Sequence, residues 1–207
     1  MNSVLMNMEK ENIISAKKLI MWLMIASVVM LFAGLTSAYI VRRAEGNWLT
    51  FQLPEMFKIS TVIIVVSSIS LIVTQLFLNK NRLTLVNVLL GSSFILGVLF
   101  LFFQYQSWVE IYNYKVVPGQ GDYSGKYFGI VFGGQYANPS GSFLYVLSGL
   151  HFVHIVGGLI FMGVVLAKSL MKVNTESLKR WLEMCAVFWH FLGALWIYLY
   201  VFLIVYH

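Results

Sequence analysis

The chain has 207 residues, 59% of them hydrophobic and 11% charged, with a formal net charge of +6. Soluble domains are about 45–50% apolar and about 25% charged, and a chain of this length cannot hide so much apolar surface from water, so lipid must be part of its solvent. The positive charge does not point to nucleic acid, because Lys and Arg stand in short clusters between apolar runs, where membrane-topology signals sit.

Residues 1–17 are polar and mixed in charge and read as a cytoplasmic N-terminal segment. The first apolar run, 19–41, follows Lys17-Lys18 and ends in Arg42-Arg43. It is longer than the ~7–15 residues of a signal-peptide core and lacks a small-residue cleavage motif, so it is expected to remain as an anchor. Further charge-free stretches follow, and predicted helices of about 19–41, 59–79, 83–109, 143–167 and 181–206 each reach the ~20 residues needed to cross a bilayer. Barrel strands are only about 10 residues long and alternate in polarity. Helices are the remaining way to satisfy every backbone group in hydrocarbon. The expected fold is all-α: a polytopic bundle of five transmembrane helices forming one membrane domain over 18–207.

The connections set the topology. Lys80-Asn81-Arg82 is short enough to force an antiparallel hairpin between the second and third helices. Lys10, Lys17, Lys18, Lys80, Arg82, Lys168, Lys172, Lys179 and Arg180 fall on one side, and Arg42, Arg43, Lys58, Lys115 and Lys126 on the other. The positive-inside rule then places the N-terminus in the cytoplasm and the C-terminus outside, across a bacterial cytoplasmic membrane. The long outer connection, 110–142, is rich in Gly, Asn, Ser and Tyr and reads as an exposed loop, with a docking surface as the sharper alternative. Cys185 is the one cysteine, so no internal disulfide or Cys-based metal site is available.

Polar groups inside apolar helices call for a partner or a role. Three histidines qualify: His151 and His154 in the fourth helix and His190 in the fifth. Counting from the expected helix ends brings all three near the midplane. His151, His154 and Gly158 share one helix face, and Glu183, His190 and Ala194 another, with Gly157 and Gly158 allowing close approach. Two readings stand. Imidazoles from two helices are common axial ligands of haem, as in a membrane-anchor haem b protein. Alternatively Glu183, His151, His154 and His190 satisfy one another in a buried polar network. Glu183 also stands near the expected start of its helix, where the dipole favours an anion. Small and hydroxyl residues form packing seams: Ser27, Gly34 and Ala38 on the first helix, Ser60, Ser67, Ser70 and Thr74 on the second, Ser93, Gly97, Gln104 and Ser107 on the third. A small transporter would fit five apolar helices generically, but no inverted repeat or Pro/Gly-broken helix pair is visible.

Ser148–Gly158, SGLHFVHIVGG, resembles the TGFHGLHVIIG segment of subunit III of the haem–copper oxidases. Glu183–Tyr200, EMCAVFWHFLGALWIYLY, resembles that family's EAAAWYWHFVDVVWLFLY, with Glu183, Trp189, His190, Phe191, Trp196, Leu199 and Tyr200 at the same spacing. LGVLFLFFQYQSWVE is similar to LGVYFTLLQASEYYE through Gly97, Gln104 and Glu110, and FAGLTSAY to a stretch of the family's first shared helix. The resemblance covers about residues 18–207 and is to the five-helix form. The family's intramembrane carboxylate is replaced at Ser27 or Val28, and the Asp that follows W-H-F by one residue is replaced by Gly193. The resemblance implies an accessory subunit with no catalytic residues, haem or metal of its own. It would lie directly beside subunit I, with subunit II and further respiratory partners in the assembly and haems and copper in the partner chains. It also implies bound phospholipid in a helix cleft, support for proton uptake, and a complex that reduces O2 while pumping protons. It implies that the three histidines are not haem ligands. The matched segments come from the cytochrome c branch, with a quinol oxidase as the alternative.

Overall fold

The structure, a computed structural model, describes residues 2–46, 48, 53–80, 82–113, 139–171 and 175–206, with side chains from 16 onward except those of 17, 112 and 113. Five helices run through it: α1 (Asn2–Arg43), α2 (Met56–Asn79), α3 (Leu83–Asn113), α4 (Pro139–Leu170) and α5 (Thr175–Tyr206). Each contains a stretch long and apolar enough to span a membrane, and the described residues form no strand.

The helices outrun their apolar cores. Residues 2–17 extend α1 instead of forming a separate segment, and residues 110–113 and 139–142 belong to α3 and α4. No Pro or Gly interrupts these ends, apart from Pro139 at the first position of α4, where its missing N–H costs nothing, and Gly141 just inside that helix. Hydropathy marks only the part in hydrocarbon, whereas backbone hydrogen bonding carries a helix on into the headgroup zone. At ~1.5 Å per residue, α4 and α5 are roughly 48 Å long, well beyond the ~30 Å hydrocarbon core. The 114–138 part of the long connection, with Lys115 and Lys126, lies outside the described residues, as does Lys172.

α2, α3, α4 and α5 pack in a closed ring, each against the next, while α1 leans on α4 and α5 alone. Adjacent ring helices are antiparallel. α5 is the most deeply buried of the five: Trp189, Leu192, Trp196 and Leu199 are buried on it. The outward faces are aliphatic, for example Val62, Val88, Ile95, Val153, Ile160 and Ile204, all exposed. Helices apolar on every face suit burial in lipid.

Candidate functional site: the midplane histidines and helix seams

The α2–α3 seam is a hydroxyl zipper. Ser67 Oγ donates to the Ser93 carbonyl at 3.0 Å, and Ser93 Oγ reaches back to the Ser67 carbonyl at 3.4 Å. Ser70 Oγ donates to the Leu89 carbonyl at 3.1 Å and lies 3.0 Å from Ser92 Oγ. Towards the start of α2, Gln104 Nε2 donates to Ser60 Oγ at 3.2 Å. Small hydroxyl side chains let the two backbones approach and supply interhelical hydrogen bonds that lipid cannot.

Two tryptophans tie α5 into this seam. Trp189 Nε1 donates to Ser67 Oγ at 3.1 Å, and Trp196 Nε1 to Thr61 Oγ1 at 2.9 Å. The Trp189 indole lies between Gly97 of α3 and Gly158 of α4. A Cβ at Gly97 would stand 2.7 Å from Trp189 Cη2 and 2.6 Å from Leu159 Cδ2. A Cβ at Gly158 would stand 3.0 Å from Leu192 Cδ1 and 3.2 Å from Trp189 Cε3. Both glycines are therefore clearances for one indole. On α3 and α4, Trp108 Nε1 donates to Ser148 Oγ at 2.9 Å, and Ser169 Oγ bonds Asn87 Oδ1.

The remaining expected packing residues lie elsewhere. Ser27 and Ala38 are exposed on α1, and a Cβ at Gly34 or Gly157 would meet nothing within 4 Å. The buried face of α1 is instead Met21, Ile25, Val28, Phe32, Thr36 and Tyr39. Ser27 and Gly34 thus face away from the bundle, because α1 is held by bulky side chains and not by close backbone approach.

The four polar residues of the expected network do not join. No hydrogen bond or ion pair links any two of His151, His154, Glu183 and His190 among the described residues. His151 is 1% exposed and neither ring nitrogen has a partner. Its ring stacks on Trp196, with centroids 5.3 Å apart, and meets the edges of Phe32 and Phe100 at 6.4 and 6.0 Å. His154 Nδ1 lies 2.7 Å from the carbonyl of Leu150 in its own helix. His190 is half-buried and lines a groove between α2 and α5. Glu183 is half-buried without a polar partner.

The cause is helix register. His151 packs at the level of Trp196 and Gly158 at the level of Trp189, so α4 and α5 step past one another in opposite directions. Glu183 then lies roughly 20 Å along the axis from His151, and its seven-residue spacing from His190 on α5 alone separates those two by roughly 10 Å, at ~1.5 Å per residue. No carboxylate spans those distances. α5 begins at Thr175, so Glu176, not Glu183, occupies the first turn where the helix dipole acts. Among the described residues no group of three His, Cys, Asp or Glu side chains gathers as it would around a metal ion.

The sequence reading missed two features. One is an aromatic cluster at the end of the bundle where α5 finishes, where Tyr39 packs on Trp48, Phe202 and Phe143 at 4.6, 5.2 and 5.8 Å. Its signal was the enrichment of Tyr and Trp at membrane interfaces. The other lies at the opposite end, where Lys168 Nζ stands 3.9 Å from the Trp181 ring centroid. Beside it Ile20, Met21, Met24, Phe161, Trp181 and Met184 line an apolar groove of about 250 Å³.

A closed ring of four apolar helices, clasped by a hydroxyl zipper and two buried tryptophans with a fifth helix against its side, defines a polytopic α-helical membrane protein. No family model matches the chain. Individual relatives do. Cytochrome bo(3) ubiquinol oxidase subunit 3 of Buchnera aphidicola subsp. Baizongia pistaciae is 26% identical over 92% of this chain and 92% of the relative. Probable cytochrome c oxidase subunit 3 of Nocardia farcinica is 26% identical over 92% of this chain and 87% of the relative. The bo(3) subunit 3 of Pseudomonas aeruginosa is 25% identical over 85% and 78%. The resemblance to oxidase subunit III carried by the α4 and α5 motifs thus extends along nearly the whole chain.

Proposed function

We propose that this chain is the accessory, non-redox subunit III of a proton-pumping haem–copper terminal oxidase in aerobic respiration. The observation that carries the reading is similarity along nine-tenths of the chain to subunit 3 proteins, combined with five spanning helices. Relatives named for quinol and for cytochrome c oxidases match at the same 26% identity, so both electron donors stay within the proposal. The chain has its N-terminus in the cytoplasm and its C-terminus outside, in a bacterial inner membrane, beside subunit I and with subunit II in the same assembly. Haems and copper belong to those partners, where they carry electrons to O2.

The residues of this chain supply rigidity and a surface. The hydroxyl zipper and the Trp189 slot lock four helices together, and a rigid flank supports the neighbouring subunit. The groove at Met21, Phe161 and Trp181 is apolar, with the Lys168 ammonium against the ring of Trp181, one of its lining residues. That pairing suits a phospholipid acyl chain beneath an anionic headgroup. Ser27, exposed, and Val28, buried, cannot ionise, so any support of proton uptake here runs through stabilising the partner and not through a carboxylate at that level of α1. Affinity purification in mild detergent followed by identification of the co-purifying chains tests the reading. Recovery of a haem–copper subunit I in equal amount supports it, and a chain that purifies only with itself refutes it.

A further inference from the structure

α1 is held unevenly along its length. The apolar side chains of its buried face close from the Lys18 end to the Arg43 end: Met21 is 9% exposed, Ile25 8%, Val28 5%, Phe32 1% and Tyr39 0%. The kind of contact changes in the same direction. From Phe32 onward the contacts are directional. Phe32 meets the rings of His151 and His154 edge-on at 6.4 and 5.9 Å. Tyr198 Oη donates to Thr36 Oγ1 at 3.3 Å, and Tyr39 Oη donates to the Tyr206 carbonyl at 3.4 Å. Between Lys18 and Leu31, no α1 side chain makes a hydrogen bond, ion pair or ring contact with another helix. At that level Ile20, Met21 and Met24 of α1 line the groove of about 250 Å³ with Phe161, Trp181 and Met184.

The two halves of α1 differ in how lipid competes with them. Hydrocarbon tails are as apolar as the side chains of Met21, Ile25 and Val28, so lipid replaces those interhelical contacts at little cost. A hydroxyl bonded across a helix seam finds no substitute in hydrocarbon. α1 also packs on α4 and α5 alone, outside the closed ring, so no other described helix braces its Lys18 end. We propose that α1 is a hinged strap, fixed near its Arg43 end by Thr36 and Tyr39 and tilting at its Lys18 end, so that the groove beside Trp181 opens and closes to the acyl chains of the bilayer. From Tyr39 to Ile20 the lever is roughly 28 Å at ~1.5 Å per residue, so a tilt of about 10° moves the Lys18 end by roughly 5 Å. The strap regulates the groove that the proposed function gives to a phospholipid chain, and it rests on that reading for its occupant alone.

The test measures distances between paired spin labels by double electron–electron resonance, in the full chain carrying Cys185→Ala in phosphatidylcholine nanodiscs. One pair, Leu23 and Leu76, reports on the Lys18 end, and the other, Val41 and Ile59, on the Arg43 end; all four side chains are exposed. The Leu23–Leu76 distribution should be several ångströms broader than the Val41–Ile59 one. Thr36→Val with Tyr39→Phe keeps the shapes and removes both clasping hydroxyls, and should broaden Val41–Ile59 as well. Two equally narrow distributions overturn the strap. So does a Val41–Ile59 distribution as broad as Leu23–Leu76 before the hydroxyls are removed, or unchanged afterwards. The occupant is read separately, as phospholipid retained by the purified chain and counted by mass spectrometry. It should fall several-fold in Met24→Trp, which fills the groove. A chain that retains no phospholipid while its Lys18 end still moves refutes the acyl-chain occupant and leaves the hinge standing.

Discussion

Gly97→Ala is the sharpest perturbation of this fold. The new methyl would lie 2.7 Å from Trp189 Cη2, 3.1 Å from Trp189 Cζ2 and 2.6 Å from Leu159 Cδ2, against an optimal carbon–carbon separation of about 3.5–4.0 Å. Leu159 can rotate away, since the contact is with the end of its side chain. Trp189 cannot move freely, because its Nε1 is bonded to Ser67 and its other face meets Gly158. Overpacking of this kind costs about 1–3 kcal/mol, offset by the ~1 kcal/mol that Ala gains over Gly in a helix. Gly34→Ala and Gly157→Ala meet nothing within 4 Å and keep the helix gain alone. Gly97→Ala should therefore unfold at a lower temperature than the unsubstituted protein and Gly157→Ala at the same or a higher one, measured by thermal unfolding in detergent. In a Trp189→Phe background, which lacks the benzo ring that clashes, Gly97→Ala should cost less. If Gly97→Ala proved as stable as Gly157→Ala, the packing of Trp189 between two glycines would be wrong.

Ser67→Ala removes the acceptor for Trp189 and the donor to Ser93, so it should destabilise by about 1–3 kcal/mol in the same assay, more than Ser92→Ala. Glu183→Ala and Glu183→Gln should both leave the chain bound to the complex and the initial oxidase rate unchanged, because Glu183 has no polar partner to orphan; a lost rate with the subunit retained would make Glu183 a participant in proton delivery. A reporter fused after His207 should read as outside the cytoplasm and one inserted between Met171 and Thr175 as cytoplasmic, and the reverse pattern would invert the topology.

Most of the fold was legible because lipid imposes simple rules. Five apolar runs gave five helices, and Lys80-Asn81-Arg82 gave the α2–α3 hairpin, which the structure pairs through Ser67, Ser70 and Ser93. The seam on α1 was misread because period alone does not say which face is inward. Ser27, Gly34 and Ala38 do share a face, but the bulky face of Phe32 and Tyr39 is the one that packs. The histidine cluster failed for a different reason. Depths were counted from an α5 start expected at 181 and α4 ends expected at 143 and 167, whereas α5 starts at Thr175 and α4 runs Pro139–Leu170, and each residue shifts a side chain by ~1.5 Å. The actual register sets His151 against Trp196 and leaves Glu183 too far away. Gly97 and Gly158, by contrast, were marked by residue type alone, and their common partner Trp189 only emerged from three-dimensional packing.

The proposed function is that of a haem–copper oxidase subunit that binds no haem itself. The direct measurement is a reduced-minus-oxidised optical spectrum of the affinity-purified complex, repeated on the tagged chain after it has been dissociated from its partners. The expected result is a haem spectrum in the complex that stays wholly with the partner chains, leaving the isolated chain without a Soret band. A stoichiometric Soret band on the isolated chain, lost in His151→Ala or His190→Ala, would contradict the account and make this protein a membrane cytochrome.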